Sequence, residues 1–439
     1  MENKKMETKK KEQVLIFFIL LTTLSFISGF FFNENSAGGG EGDFINHTWK
    51  NLQLFNSNSL FEALKLTNTV DFDIFQSSRI PGFYVFNKIF NPFLNNIEYY
   101  RASIFTLSLI VPIFLYKCLV VKYKNINKLY LAFLSSLILL SPYFRTSAIW
   151  GNEENFAYIA SIISFFFLLK YQNSEEKFKI IFLIMLIISS STCVYFDQKF
   201  SIIPALCFFI IFFNTSKLKE KLLIFVLYFF MSLPVLYLFY IWGGLLPPMD
   251  QLGRDVHLGK FNFQNFGYAL TIILFYLFPF IVCSFDIKKV KQLIIFKDNS
   301  ERAIFCFVIM YLIYFIFFYD ISNEVMLGKG VFYKLSILIT KNIFYQKIIL
   351  AIFILLAFIA IMLLFEKNFL NFFALCFIAF TPILYKPILQ EYYDPLIIIL
   401  IFTFLNTKFL ITYRNLMILF VYFSSFLIFA NFYYVSILS

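Results

Sequence analysis

Charge is scarce in this chain of 439 residues: Asp, Glu, Lys and Arg make up 14% of it, against 60% hydrophobic residues and a mean hydropathy of +0.77. That balance excludes a soluble protein folded around a buried core. Histidine occurs only as His47 and His257, and the six cysteines include no CxxC pair and have no histidine beside them. They read as small apolar residues inside helices, with no metal-ligand spacing. Neither GxxxxGK[ST] nor GxGxxG occurs, which removes the usual phosphate-cradling loops and any sign of a cytoplasmic nucleotide. Arginine is also rare, and four of its six positions, Arg79, Arg101, Arg145 and Arg254, fall between apolar runs on the side where lysine is sparse.

What the chain has in quantity is long apolar text. Lipid offers backbone groups no partners, so a crossing segment is a helix of about 20 mostly apolar residues. About thirteen stretches qualify, near 14–32, 101–121, 129–145, 155–171, 179–196, 200–213, 222–246, 265–285, 303–319, 347–365, 370–385, 394–406 and 416–437. Those at 200–213 and 394–406 are short enough to be tilted, broken or re-entrant. The expected fold is an all-α polytopic transmembrane bundle of 11–13 spans, one integral-membrane domain over 1–439 with no separate soluble domain. Lys4, Lys5, Lys9, Lys10 and Lys11 precede the first span, which reads as a retained signal anchor with a cytoplasmic amino terminus. Lys and Arg then concentrate on the cytoplasmic side and Asp and Glu outside, as the positive-inside rule requires, with the carboxy terminus outside. The net charge of +11 is topological and calls for no nucleic acid. The 66 phenylalanines follow a general compositional bias and mark no site.

Polar chemistry gathers in the outer loops. The first, 33–100, is far longer than a turn requires. Within it Phe44, His47 or Thr48, Leu52 and Phe55 recur at helical spacing, which predicts short amphipathic helices lying at the membrane interface. Asp43 stands at the start of that pattern, as an N-cap or as a reactive carboxylate, and Glu41 precedes it in a glycine-rich run. The second outer loop carries Glu153 and Glu154, which suit either the positive end of the next helix or a site. Asp197 and Lys199 form an acid–base turn that reads as an ion pair. Arg254 and His257, and farther on Lys329 and Lys334, offer cations to an anionic group.

A long first outer loop with an acid just after span one, a second acidic loop and polarity confined outside resemble the GT-C class of integral-membrane glycosyltransferases. Gly42-Asp43-Phe44-Ile45-Asn46-His47 looks like the acidic motif of that class, and Ser78-Arg79-Ile80-Pro81-Gly82-Phe83-Tyr84 like its Pro-containing segment leading into span two. The match is one of layout and short motifs. It implies a polyprenyl-phosphate sugar donor held in the membrane lipids and inverting transfer to the hydroxyl of a glycan, lipid or protein acceptor, at a bacterial inner membrane. Asp43 would be the base, with Glu41 second and Glu153 or Glu154 assisting; Arg79, Arg254, His257, Lys329 and Lys334 would stabilise the departing phosphate. Some members of that class use a divalent metal, Mg or Mn, held by such acids. No WWDYG-type signature occurs. A transporter or flippase of lipid-linked sugars is the alternative, but it would show internal repeats and polar groups at mid-membrane; a ligase or polymerase would carry its largest outer loop late in the chain.

Overall fold

The computed structural model describes residues 2–71, 73–75, 77, 79–245, 247–248, 262–284, 299–319, 328–364, 369–384, 388–407 and 409–438. Among them every regular element is a helix. The chain divides into two compact units, Met1–Arg254 with Phe423–Ser439, and Asp255–Tyr422.

The first unit opens with α1 (Glu2–Phe31), after which the long loop folds into α2 (Gly40–Asp43), a π-helical turn (Phe44–Thr48), α3 (Trp49–Ser57), α4 (Leu60–Leu66) and α5 (Gly82–Phe90). Phe44, Thr48, Leu52 and Phe55 are all buried, while Ile45, Asn46 and Lys50 face outward, so the helical spacing of the sequence describes a docked face. α5 buries Phe83, Tyr84 and Asn87. The ammonium of Lys88 on α5 donates to the carbonyls of Phe55 and Asn58, 2.7 Å each, and so holds the carboxy-terminal end of α3. A Cβ on Gly82 would stand 2.5 Å from the carbonyl oxygen of Tyr195, so only glycine lets α5 begin against that backbone.

α6 (Ile97–Ser108) runs into α7 (Ile110–Lys122) as one apolar rod. α8 (Lys128–Ser136) and a 3-10 turn (Leu137–Leu140) lead to α9 (Pro142–Trp150), where the path bends by 70°. The break falls where Ser141 caps the amide of Phe144 and Pro142 occupies the first turn of α9, a helix start set inside a hydrophobic stretch. Gly151, at φ +76°, ends α9 and turns the chain toward α10 (Glu154–Asn173). Two residues separate α10 from α11 (Glu176–Phe196), so the two pack antiparallel along their length. A 3-10 turn (Gln198–Ser201), α12 (Ile202–Asn214) and α13 (Leu218–Trp242) follow.

Two arginines buried at 1% and 4% exposure tie the first loop down. Arg145 pairs with Glu34, Nε to Oε1 at 2.9 Å, and donates to the carbonyls of Ser25 (2.8 Å) and Leu139 (3.1 Å). Arg101 donates to Asn33 Oδ1 at 2.6 Å and lies over the Trp150 ring at 4.2 Å.

In the second unit, α14 (Gln264–Ser284) is buried on nearly every side, as its unbroken apolar text requires. α15 (Asn299–Phe317), α16 (Gly330–Ile339), α17 (Ile343–Leu364), α18 (Phe369–Phe380) and α19 (Leu396–Phe402) follow, with α16, α17 and α18 packed on α14; the last helix, α20 (Tyr413–Leu438), begins in this unit and from Phe423 onward belongs to the first.

Among the described residues seven helices are long and apolar enough to cross a membrane: Met6–Phe31, Ile97–Lys122, Glu176–Phe196, Leu218–Trp242, Gln264–Ser284, Ile343–Leu364 and Tyr413–Tyr434; the bent pair Lys128–Leu140 and Pro142–Trp150 makes an eighth if it is one span. The count of about thirteen is thus met in part. The other expected stretches coincide with α10, which buries Asn155, Ser161 and Ser164, with the seven-residue α19, and with the short apolar helices Gln198–Asn214, Phe305–Phe317 and Ala374–Ile383.

Replacing Arg145 by Met leaves Glu34 without its buried partner and is expected to lower the unfolding free energy by about 3–5 kcal/mol. The midpoint of denaturant unfolding of the solubilised protein measures this, and adding Glu34→Gln should restore part of the loss.

Candidate functional site

Four segments distant in sequence converge in the first unit: the turn holding Asp43, His47 and Thr48; the segment holding Arg79 with Tyr84 on α5; the amino-terminal end of α10 with Glu153 and Glu154; and the turn between α11 and α12 with Asp197 and Lys199. Arg79 is the hub. Its NH1 pairs with Glu153 Oε2 at 2.6 Å, its NH2 with Glu154 Oε1, and its Nε lies 3.8 Å from Asp197 Oδ2. Lys199 Nζ stands 3.4 Å from both Glu154 Oε1 and Asp197 Oδ2.

The two adjacent glutamates do different work. Glu153 is 4% exposed and accepts hydrogen bonds from Tyr84 Oη, Thr48 Oγ1 (3.2 Å) and Arg79. Asn51 Nδ2 donates to Tyr84 Oη at 3.1 Å, so a chain of side chains from α3 through α5 fixes this carboxylate. A carboxylate so fully engaged holds the site together. Glu154 is more open. Burial by itself raises its carboxyl, but Arg79 and then Lys199 outweigh that and hold it well below the ordinary range. The same burial works against the Arg79 charge, and Glu154, Glu153 and Asp197 more than offset it, so the guanidinium stays ionised.

Asp43 is the exposed member of the group. It accepts no amino-terminal bond as an N-cap, since it lies within the continuous helical run of α2 and the π turn. The residue reaches solvent, yet neighbouring protein partly desolvates its carboxyl, which raises it above the usual aspartate range, and the Glu154 charge adds to the rise, against Arg79, His47 and Lys199. An exposed carboxylate whose affinity for protons is raised is suited to take one from a bound hydroxyl.

The sequence-derived candidates therefore sort unevenly. Asp43, Glu153, Glu154 and Arg79 come together. Glu41 is exposed and stands in electrostatic range of Arg101 instead. Arg79, expected on phosphate, is already engaged by carboxylates. Lys329 and Lys334 belong to the second unit: the Lys329 ammonium, 5% exposed, lies over the rings of Tyr268 (5.2 Å) and Tyr333 (4.6 Å), and burial lowers it to about 7. Arg254 and His257 lie outside the described residues. Among the described residues no three His, Cys, Asp or Glu side chains are placed to hold a metal ion; the carboxylates here are neutralised by Arg79 and Lys199. Tyr84 and Thr48 were not marked by the sequence as site residues, although Tyr84 ends the Pro-containing segment that was.

Two outcomes follow. Glu153→Gln removes the charge facing Arg79 and sets an amide nitrogen against either the Tyr84 hydroxyl or the Arg79 and Thr48 donors, and should cost about 2–4 kcal/mol of stability, clearly more than Glu154→Gln, in parallel unfolding titrations. For Asp43 the folded-state carboxyl titrates above its unfolded value of about 3.9, so the stability lent by its protonation is present below that value and lost as pH rises through the folded pKa. Asp43→Asn should accordingly melt higher than wild type at pH 7, with the gap closing as pH falls toward 4. No family model matches the chain, nor does any curated protein or solved structure.

Proposed function

We propose that this protein is a membrane glycosyltransferase acting on the extracytoplasmic face, moving a sugar from a polyprenyl-phosphate-linked donor to an acceptor hydroxyl with inversion. The observation that carries the reading is the pairing of an exposed, proton-attracting Asp43 with a fixed Arg79–carboxylate cluster beside it. Transfer of this kind asks for a base that takes the hydroxyl proton as the oxygen attacks the anomeric carbon, and for cations near the phosphate that leaves with the bonding electrons. Asp43 supplies the first. Glu154, which adds to the raising of the Asp43 carboxyl, tunes it, while Glu153 positions Arg79. Arg254, His257, Lys329 and Lys334 remain the proposed contacts for phosphate. The chain would thread the bilayer about thirteen times, its shorter apolar helices tilted or re-entrant, with the amino terminus in the cytoplasm.

Full-length protein in lipid nanodiscs, given a panel of polyprenyl-phosphate sugars and acceptor glycans, should transfer sugar in a donor-dependent way. Asp43→Asn should reduce kcat by about 10²–10⁴-fold with donor affinity nearly unchanged. Full activity in that variant would remove Asp43 as the base.

A further inference from the structure

Asp197 is 1% exposed, and its two oxygens have different fates. Oδ1 caps the 3-10 turn that follows, accepting from the amide of Lys199 at 2.9 Å. Oδ2 is buried and accepts no hydrogen bond. It faces Lys199 Nζ at 3.4 Å and Arg79 Nε at 3.8 Å, in range for charge attraction but with no donor hydrogen directed at it. The cap alone does not call for this second oxygen, because Asn serves as well as Asp at such a position. The two cations offset its charge but leave its hydrogen-bonding capacity unused, and the natural complement is a donor brought in by a ligand.

We propose that Asp197 and Lys199 form a recognition subsite for a hydroxyl group of a neutral sugar ring, next to Asp43. The charges decide the class of ligand. A phosphate would meet Glu153, Glu154 and Asp197; a cation would meet Arg79 and Lys199. A hydroxyl meets neither conflict, because it donates to Asp197 Oδ2 while accepting from the Lys199 ammonium, and a second hydroxyl on the neighbouring carbon can reach Glu154. Lys199 is 20% exposed on its side chain and stands 3.4 Å from both Glu154 Oε1 and Asp197 Oδ2, where its ammonium can donate to the same group. Lys199 and Glu154 both act on the Asp43 carboxyl, which puts the subsite in electrostatic contact with the proposed base. The inference rests on the glycosyl-transfer reading for its place in a reaction, but the binding it describes is measurable without turnover.

The test uses the full chain in nanodiscs and saturation-transfer NMR with methyl glycosides of glucose, galactose and mannose, their monodeoxy analogues, inorganic phosphate and magnesium chloride as probes. At least one methyl glycoside should bind, and removing one particular hydroxyl should weaken it by about tenfold or more. In Asp197→Asn, which keeps the cap, the parent sugar should weaken by a similar factor and the deoxy analogue should bind no worse than the parent; a purely structural ion pair would not lose that discrimination. Phosphate and magnesium should not compete. Absence of binding to every glycoside, undiminished discrimination in Asp197→Asn, or competition by phosphate would each overturn the assignment. If Asp197-dependent binding is found while transfer is indifferent to Asp43→Asn, the base assignment fails and the subsite stands; the opposite pattern removes the subsite alone.

Discussion

A charge taken out of water must be met by opposite charge or by hydrogen bonds, and in this chain one guanidinium carries most of that requirement. Arg79 sits among Glu153, Glu154 and Asp197, which come from two different helix junctions. Each of these acids would be prohibitively costly to bury alone at the edge of an apolar body, and each is tolerable because the same cation faces all three. The geometry of α5, of the start of α10 and of the α11–α12 turn is therefore coupled: none can shift without exposing a partner of the others to an uncompensated charge. Among the described residues three acids face two bases, Arg79 and Lys199, and the Glu154 charge reaches the nearby Asp43 carboxyl.

A second set of buried charges does for the long first loop what the membrane cannot. A loop of this length has many conformations to lose on ordering. Arg145 with Glu34 and Arg101 with Asn33 fasten its root to α9 and α6, and Ser36 donates to the carbonyl of Pro142 at 3.0 Å while the amide of Ala37 donates to Thr146 at 2.9 Å. Trp150 adds an indole bond to the Glu34 carbonyl at 3.1 Å. With the root fixed this way, the helices carrying Asp43 and Thr48 have a firm base from which to meet α10.

Much of this was legible in the sequence because it depends on periodicity. The inward face of Phe44, Leu52 and Phe55 follows from spacing, which leaves His47 or Thr48 open between them until the fold buries Thr48, and the apolar helices follow from hydropathy. What spacing does not carry is the division of labour between Glu153 and Glu154. The two are neighbours with the same side chain, and their difference is set by Thr48 and Tyr84, 105 and 69 positions away. Arg79 was singled out as a rare external arginine, yet whether such a residue faces a ligand or a carboxylate depends on which segments fold against it. The span count was least legible. Hydropathy alone does not distinguish a helix buried by protein, such as α10 with its inward Asn155 and serines, from one bathed in lipid, nor does it reveal that Ser141 and Pro142 restart a helix midway through an apolar stretch.

The π turn at Phe44–Thr48 is an α-helix with one residue too many in a single turn. Each residue of an α-helix advances the chain by roughly 100° about its axis. That surplus residue therefore sets the angular register between two otherwise independent parts: the docked face of α3 downstream, and Asp43 with the glycine-rich entry upstream. A one-residue deletion inside the turn would rotate Asp43 by about a quarter-circle relative to Thr48 and Asn51 while every turn of α3 kept its own hydrogen bonds. The orientation of the Asp43 carboxylate is in this sense decoupled from the stability of the helix that presents it, and a change in the length of this one turn redirects that side chain while leaving the fold intact.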